Sequence, residues 1–153
     1  MHIRDHTLKD SATLLKLFHD TVHNINIKDY TQTQIDAWAP DNFDLTRWES
    51  RTRNYKIFVA EDNKGIAGFA ELDIDGHIDC FYVHHERQGQ GVGKLLIEHV
   101  EKEALRQNFS RIFAEVSITA KPFFERSGFI VLTEQQAEIR GQKLTNFRME
   151  KLL

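Results

Sequence analysis

One stretch constrains this chain more than any other: His77-Ile78-Asp79-Cys80-Phe81-Tyr82-Val83, then four polar residues, then Gln88-Gly89-Gln90-Gly91-Val92-Gly93-Lys94-Leu95-Leu96-Ile97. Its first part is rich in aromatic and β-branched residues and reads as a strand. Its last part opens a helix, because Val92, Leu95, Leu96, Val100 and Ala104 recur at helical spacing. Three glycines in five residues lie at the junction, where they permit left-handed torsions and let a ligand approach without a Cβ in the way. The helix start adds unpaired N–H groups and the positive end of a dipole, a natural seat for phosphate. Two nucleotide motifs fail here. The dinucleotide fingerprint needs G-x-G-x-x-G, whereas the order is Gly89-x-Gly91-x-Gly93. A triphosphate loop needs Gly-Lys followed by Ser or Thr, and Leu95 follows Gly93-Lys94.

A length of 153 residues suits one domain spanning 1–153. Twenty basic against 23 acidic residues give a net charge of −3, which argues against a nucleic-acid partner held by charge. No apolar run approaches the ~20 residues of a membrane helix, and the first residues lack the apolar core of a signal peptide. The single cysteine, Cys80, forms no internal disulfide and suits a reducing compartment. A soluble cytoplasmic protein is expected.

Along the chain, a first strand is expected over Ile3–His6. Thr7-x-x-Asp10 reads as a capping box before a helix carrying Leu14, Leu15, Phe18 and Val22, and Thr31-x-x-Gln34 as a second before a short helix ended by Pro40. A further turn is expected around Trp48. Strands are expected over Tyr55–Glu61 and Ile66–Ile74, and Asp75-Gly76 signals a hairpin into the central stretch. After a helix ending near Asn108 come a strand over Arg111–Val116, a short helix over Thr119–Ser127 closed by Gly128, and strands over Phe129–Leu132 and Leu144–Met149. The order β-α-α-β-β-β-α-β-α-β-β predicts an α/β fold: a mixed central sheet of about six to seven strands with helices on both faces.

Gln88-x-x-Gly91-x-Gly93, with Phe81-Tyr82-Val83 before it, resembles the Gln/Arg-x-x-Gly-x-Gly/Ala loop of GNAT-type acyl-CoA N-acetyltransferases. Ala120-Lys121-Pro122-Phe123-Phe124-Glu125-Arg126-Ser127-Gly128-Phe129 resembles that family's Ala-x-x-Phe-Tyr-x-x-x-Gly-Phe signature. The element order is also the family's, and the resemblance spans Ile3 to Met149. It implies that the backbone N–H groups of Gln88, Gly89, Gln90, Gly91, Val92, Gly93 and Lys94 hold the pyrophosphate of coenzyme A. It implies further that Phe81, Tyr82 and Val83 form the strand on which the pantetheine arm pairs as though with another strand, with Ser117 and Phe124 beside it. Arg87 and Lys94 could add charge near the phosphates. The implied reaction is transfer of an acetyl group from acetyl-CoA to a primary amine by direct attack in a ternary complex. Small molecules and peptides are both open as acceptor.

One departure matters. The family's tyrosine, which often protonates the departing thiolate, is Phe124 here, and an asparagine often found before the alanine is Ser117. Tyr82, or Ser117 through a hydrogen bond to sulfur, could substitute. The missing tyrosine also supports an alternative, a non-catalytic acyl-CoA-binding sensor. For the base that deprotonates the amine, period-two alternation puts His77, Asp79, Phe81 and Val83 on one strand face and Cys80 on the other. Asp79 and His77 are therefore the first catalytic candidates, and Glu71 on the preceding strand is a third.

By the same resemblance the N-terminal third forms the acceptor site, and His23, Tyr30 and Trp38, with Glu71, are the candidate acceptor-binding residues. His19 and His23 lie four apart on one helical face, but two histidines with no third ligand in view do not make a metal site, so no metal is expected. Cys80 reads as a small buried residue. The apolar end, Met149-x-x-Leu152-Leu153, leaves a homodimer open.

Overall fold

A computed structural model describes residues 1–52 and 56–153. Its elements are β1 (His2–Asp5), α1 (Ser11–Asn24), α2 (Gln32–Trp38), α3 (Leu45–Thr52), β2 (Lys56–Asp62), β3 (Gly65–Leu72), β4 (Ile78–Val83), α4 (Val92–Arg106), β5 (Arg111–Ser117), α5 (Lys121–Arg126), β6 (Ile130–Ile139) and β7 (Gln142–Leu152). The mixed α/β expectation holds. The turn expected around Trp48 is a full helix, α3, and the expected strand start at Tyr55 lies outside the described residues.

Local chemistry sets several boundaries. Before α2, Thr31 Oγ1 accepts from the Gln34 N–H while Gln34 Oε1 accepts from the Thr31 N–H, a complete capping box. α4 ends where Asn108 turns left-handed, with Phe109 N–H donating to Ala104 C=O and Asn108 N–H to Leu105 C=O. α5 ends the same way at Gly128, through Phe129 N–H to Phe124 C=O and Gly128 N–H to Glu125 C=O. Both are the paired bonds that satisfy a helix's last carbonyls.

The strands form two sheets, β1-β2-β3-β4 and β5-β7-β6, with every ladder antiparallel. The one expected sheet is thus two, meeting among the described residues at one parallel bridge, His77 to Phe113, where Phe113 N–H donates to Gly76 C=O at 3.1 Å. Beyond that bridge β4 and β5 diverge. The last hairpin is also longer than expected. β6 is exposed throughout its first half and alternates exposed with half-buried positions only from Glu134 to Ile139, so the period that marks a half-buried strand covers only part of it.

Apolar side chains pack on both faces of the first sheet. Phe58, Ala60, Ala67 and Ala70 meet Leu96, Ile97 and Val100 of α4 on one face. Ile57, Val59 and Phe69 meet Leu14, Phe18, Ile35 and Trp48 of α1, α2 and α3 on the other. Two-sided burial explains why β2 and β3 read as nearly continuous apolar runs. Among the described residues no helix is long and apolar enough to cross a membrane.

Candidate active site

Where β4 and β5 part, a cavity of about 980 Å³ opens between them and runs to the start of α4. The bond from His84 N–H to Ala67 C=O ties that residue to β3. Alternation along an antiparallel ladder therefore turns the N–H and C=O groups of Phe81 and Val83 toward the open edge. At the rim the Val83 carbonyl accepts from Thr21 Oγ1 at 3.0 Å and from Gln88 Nε2 at 2.8 Å. The loop thus uses the Gln88 side chain to hold the strand end. Gly91 caps α4 with φ +84°, a torsion side chains disfavour. At Gly93 a Cβ would come within 3.0 Å of the Phe123 ring.

Most residues expected at the cofactor lie on this cavity: Phe81, Tyr82 and Val83 from β4, then Gln88, Gly89, Gly91, Val92, Gly93 and Lys94, with Ser117 and Phe124 across from them. Gln90 does not line it; its Oε1 accepts from Arg87 Nε at 3.1 Å. Arg87 lines the cavity with its guanidinium already paired to Asp62, whose carboxyl it pulls down to about 2. Phe124 is buried edge-on against Phe81, Phe123 and Phe129, with centroids 5.4, 5.5 and 5.0 Å away, and no hydroxyl stands at that point. Ser117 Oγ accepts from Ala120 N–H at 3.0 Å and from Asn26 Nδ2 at 3.3 Å.

The expected face pattern of β4 needs correction. Ala70 pairs with Phe81 and Leu72 with Ile78, so Glu71 alone stands opposite both Asp79 and Cys80. This one-residue bulge breaks the period-two alternation. Asp79 and Cys80, expected on opposite faces, both reach Glu71: an atom of each of the three lies within 4.8 Å of the others. Arg51 joins them, donating to Glu71 Oε2 at 2.6 Å, Glu71 Oε1 at 3.0 Å and Asp79 Oδ2 at 2.7 Å. Burial pushes the Glu71 carboxyl up despite Arg51, and pushes the Cys80 thiol well up. Asp79 lines the cavity; Glu71, fully buried beneath it, does not.

The other catalytic candidates separate as well. His77 sits at the closed end where the sheets meet, stacked on Phe113 at 5.0 Å and off the cavity wall. Its Nε2 bonds Glu115 Oε2 at 2.5 Å, and that carboxylate is on the wall. The hydrogen bond raises the pKa of His77 and lowers that of Glu115. Tyr82 turns away from Phe81 and Val83 into the aromatic layer of Phe18 and Phe69, and burial pushes its phenol well up.

On the acceptor side Trp38 lines the cavity with Thr21, Ile25 and Asn26. Tyr30 and His23 do not. The Tyr30 hydroxyl donates to Thr145 C=O at 2.6 Å and accepts from Ile118 N–H at 2.9 Å, so it fastens α2's approach to the second sheet. His23 Nε2–H donates to Ala39 C=O at 2.7 Å. Sequence reasoning missed Asn26, Arg51 and Glu115. Each meets the site through a contact between distant segments, and only the exposed acid at alternating position 115 carried any local signal.

Comparison with known proteins accords with this geometry. A family model described as an acetyltransferase (GNAT) domain matches residues 26–152. The chain is 34% identical over 149 residues to the uncharacterized N-acetyltransferase YafP of Escherichia coli, covering 97% of this chain and 94% of that protein. A GCN5-related N-acetyltransferase from Rhodopseudomonas palustris superposes with a TM-score of 0.95 at 28% identity, over 99% of this chain and 95% of that one. The PaiA N-acetyltransferase of Thermoplasma acidophilum, solved with coenzyme A, superposes at 0.76 and 19% identity, over 99% and 98%.

Proposed function

The chain belongs to the GNAT acetyltransferases, and we propose that it moves an acetyl group from acetyl-CoA directly to a primary amine of a small molecule or peptide in a ternary complex. The carrying observation is the continuous cavity that joins the glycine loop to the diverging edges of β4 and β5. The coenzyme A bound to the Thermoplasma relative agrees with that ligand class. Acetyl-CoA supplies an activated thioester; the chain's residues do the rest.

In this reading the N–H groups from Gln88 to Lys94 and the start of α4 hold the pyrophosphate. The open edge of Phe81 and Val83 pairs with the pantetheine arm, leaving a strand N–H near the thioester oxygen. Asp79 takes the proton from the amine. It faces the cavity, and Arg51 fixes its orientation through Oδ2. His77 is a positioning residue: it lies off the cavity wall with its Nε2 engaged by Glu115, and it holds Glu115 on the wall, where the carboxylate attracts a cationic acceptor. With Phe124 lacking a proton and Tyr82 turned into the aromatic layer of Phe18 and Phe69, water returns one to the thiolate, a replacement that lowers the rate by on the order of a hundredfold.

Thiol release measured across small amines and peptides, with titration of acetyl-CoA and desulfo-CoA, tests this. Turnover on an amine, with Asp79→Asn lowering kcat about a hundredfold or more and leaving cofactor affinity intact, is the expected result. Tight cofactor binding with no turnover on any acceptor would instead support a non-catalytic acyl-CoA sensor, the reading Phe124 favours. Failure to bind either nucleotide sinks both readings.

A further inference from the structure

On the outer side of α1, away from the cavity, a cluster has no part in the proposed reaction. His19 and His23, one turn apart on the helix, stack with ring centroids 4.1 Å apart. Asp41, in the turn behind Pro40, completes the group: one ligand atom from each of the three lies within 4.8 Å of the others. We propose that His19, His23 and Asp41 form a binding site for a divalent transition metal of the Zn²⁺ class, which clamps α1 to the segment following α2. This inference stands independently of the acetyl-transfer reading.

The donor set and its surroundings favour such an ion. Two imidazoles and one carboxylate with open positions match three-ligand zinc chemistry and suit Mg²⁺ or Ca²⁺ poorly. His19 Nε2 bonds Asp41 Oδ1 at 2.7 Å, while its Nδ1 lies 3.5 Å from Asp20 Oδ1. A metal on Nε2 replaces the hydrogen bond to Asp41, and Nδ1–H turned toward Asp20 is the carboxylate contact that orients metal-bound histidines. Tetrahedral ligands about 2 Å from zinc stand farther apart than 2.7 Å, and Asp41, whose side chain is 91% exposed, is free to move back. His23 already gives Nε2–H to Ala39 C=O, so Nδ1 carries its lone pair. A cleft of about 340 Å³ opens onto His19 and Asp41, room for water or a fourth ligand. Because Ala39 follows Trp38 of the cavity wall, an ion here stiffens the acceptor side at a distance.

Zn²⁺ titrated into the chelator-stripped full chain against a chromophoric competitor is expected to bind one equivalent in the micromolar range. Co²⁺ is expected to give visible bands of a nitrogen–oxygen site. His19→Ala and His23→Ala are expected to weaken Zn²⁺ at least tenfold and to abolish the Co²⁺ bands, with Asp41→Asn weaker by a smaller factor. Should His23→Ala lose its fold by circular dichroism, half-exposed His19, as His19→Ala and His19→Gln, decides alone. No binding at millimolar Zn²⁺, or an affinity unchanged in the His19 variants, overturns the site; the second result would place the ion on other histidines.

Discussion

Asp79 and Glu115 face one cavity in different company: Asp79 is fixed by a guanidinium, Glu115 by an imidazole. That difference gives the His77–Glu115 pair a pH signature. The raised pKa of His77 means its contribution is fully present below the unfolded imidazole value, about 6.5, and is lost as pH rises through the higher folded value. The lowered pKa of Glu115 works in the opposite sense: its contribution is present above the unfolded carboxyl value and is lost as pH falls through the folded one. The pair therefore stabilises between those limits. Urea melts of wild type and Glu115→Gln are expected to differ most at about pH 5 to 6 and to converge in alkali, while the NMR titration of His77 in the variant moves to lower pH. An unmoved His77 titration would contradict the pairing. Neither partner signalled the other in sequence, because 38 residues separate them and only the sheet junction brings them together.

At the scale of elements, Arg51 is the link between α3 and the β3–β4 pair. Its guanidinium lies 4.2 Å from the Trp48 ring centroid, grips the fully buried Glu71 with two nitrogens and reaches Asp79. Removing it strands a carboxylate with no water to solvate it. Arg51→Ala is expected to cost about 3–5 kcal/mol in chemical denaturation. Glu71→Gln should cost clearly less, since Arg51 keeps Asp79 as its counter-charge, and the double change Arg51→Met, Glu71→Leu should recover most of the loss. Equal losses for both single variants would show that packing, not charge, holds α3 in place. The helices themselves were legible from caps: Thr31 with Gln34, and Gly128 after α5, worked as their residue types require. The bulge between Glu71 and Asp79 was not, because an extra residue in one strand leaves the run of side chains looking like ordinary alternation.

For the whole molecule, the junction of the two sheets decides whether a cavity exists. Gly76 sits there with φ +89°, and a Cβ would fall 2.4 Å from the Arg111 carbonyl oxygen. No L side chain fits without separating the strands. Gly76→Ala is expected to destabilise by about 2 kcal/mol or more and to weaken acetyl-CoA binding, as read by denaturation and calorimetry; wild-type values for both would remove the junction from any role in shaping the site. The sequence by itself determined the strand–glycine–helix unit, the capped helices and the two-sided apolar strands, because each rests on torsions, hydrogen bonds or periodicity within a few residues. It also determined the family, through two local motifs. Only the tertiary structure decided that the sheet divides at His77 and Phe113, that Asp79 and Cys80 share one cluster, that Tyr30 serves the frame, and that Asp41 stands beside His19 and His23. Those outcomes depend on which distant segments meet, and a contact between distant segments leaves no period in the chain for a reader to find.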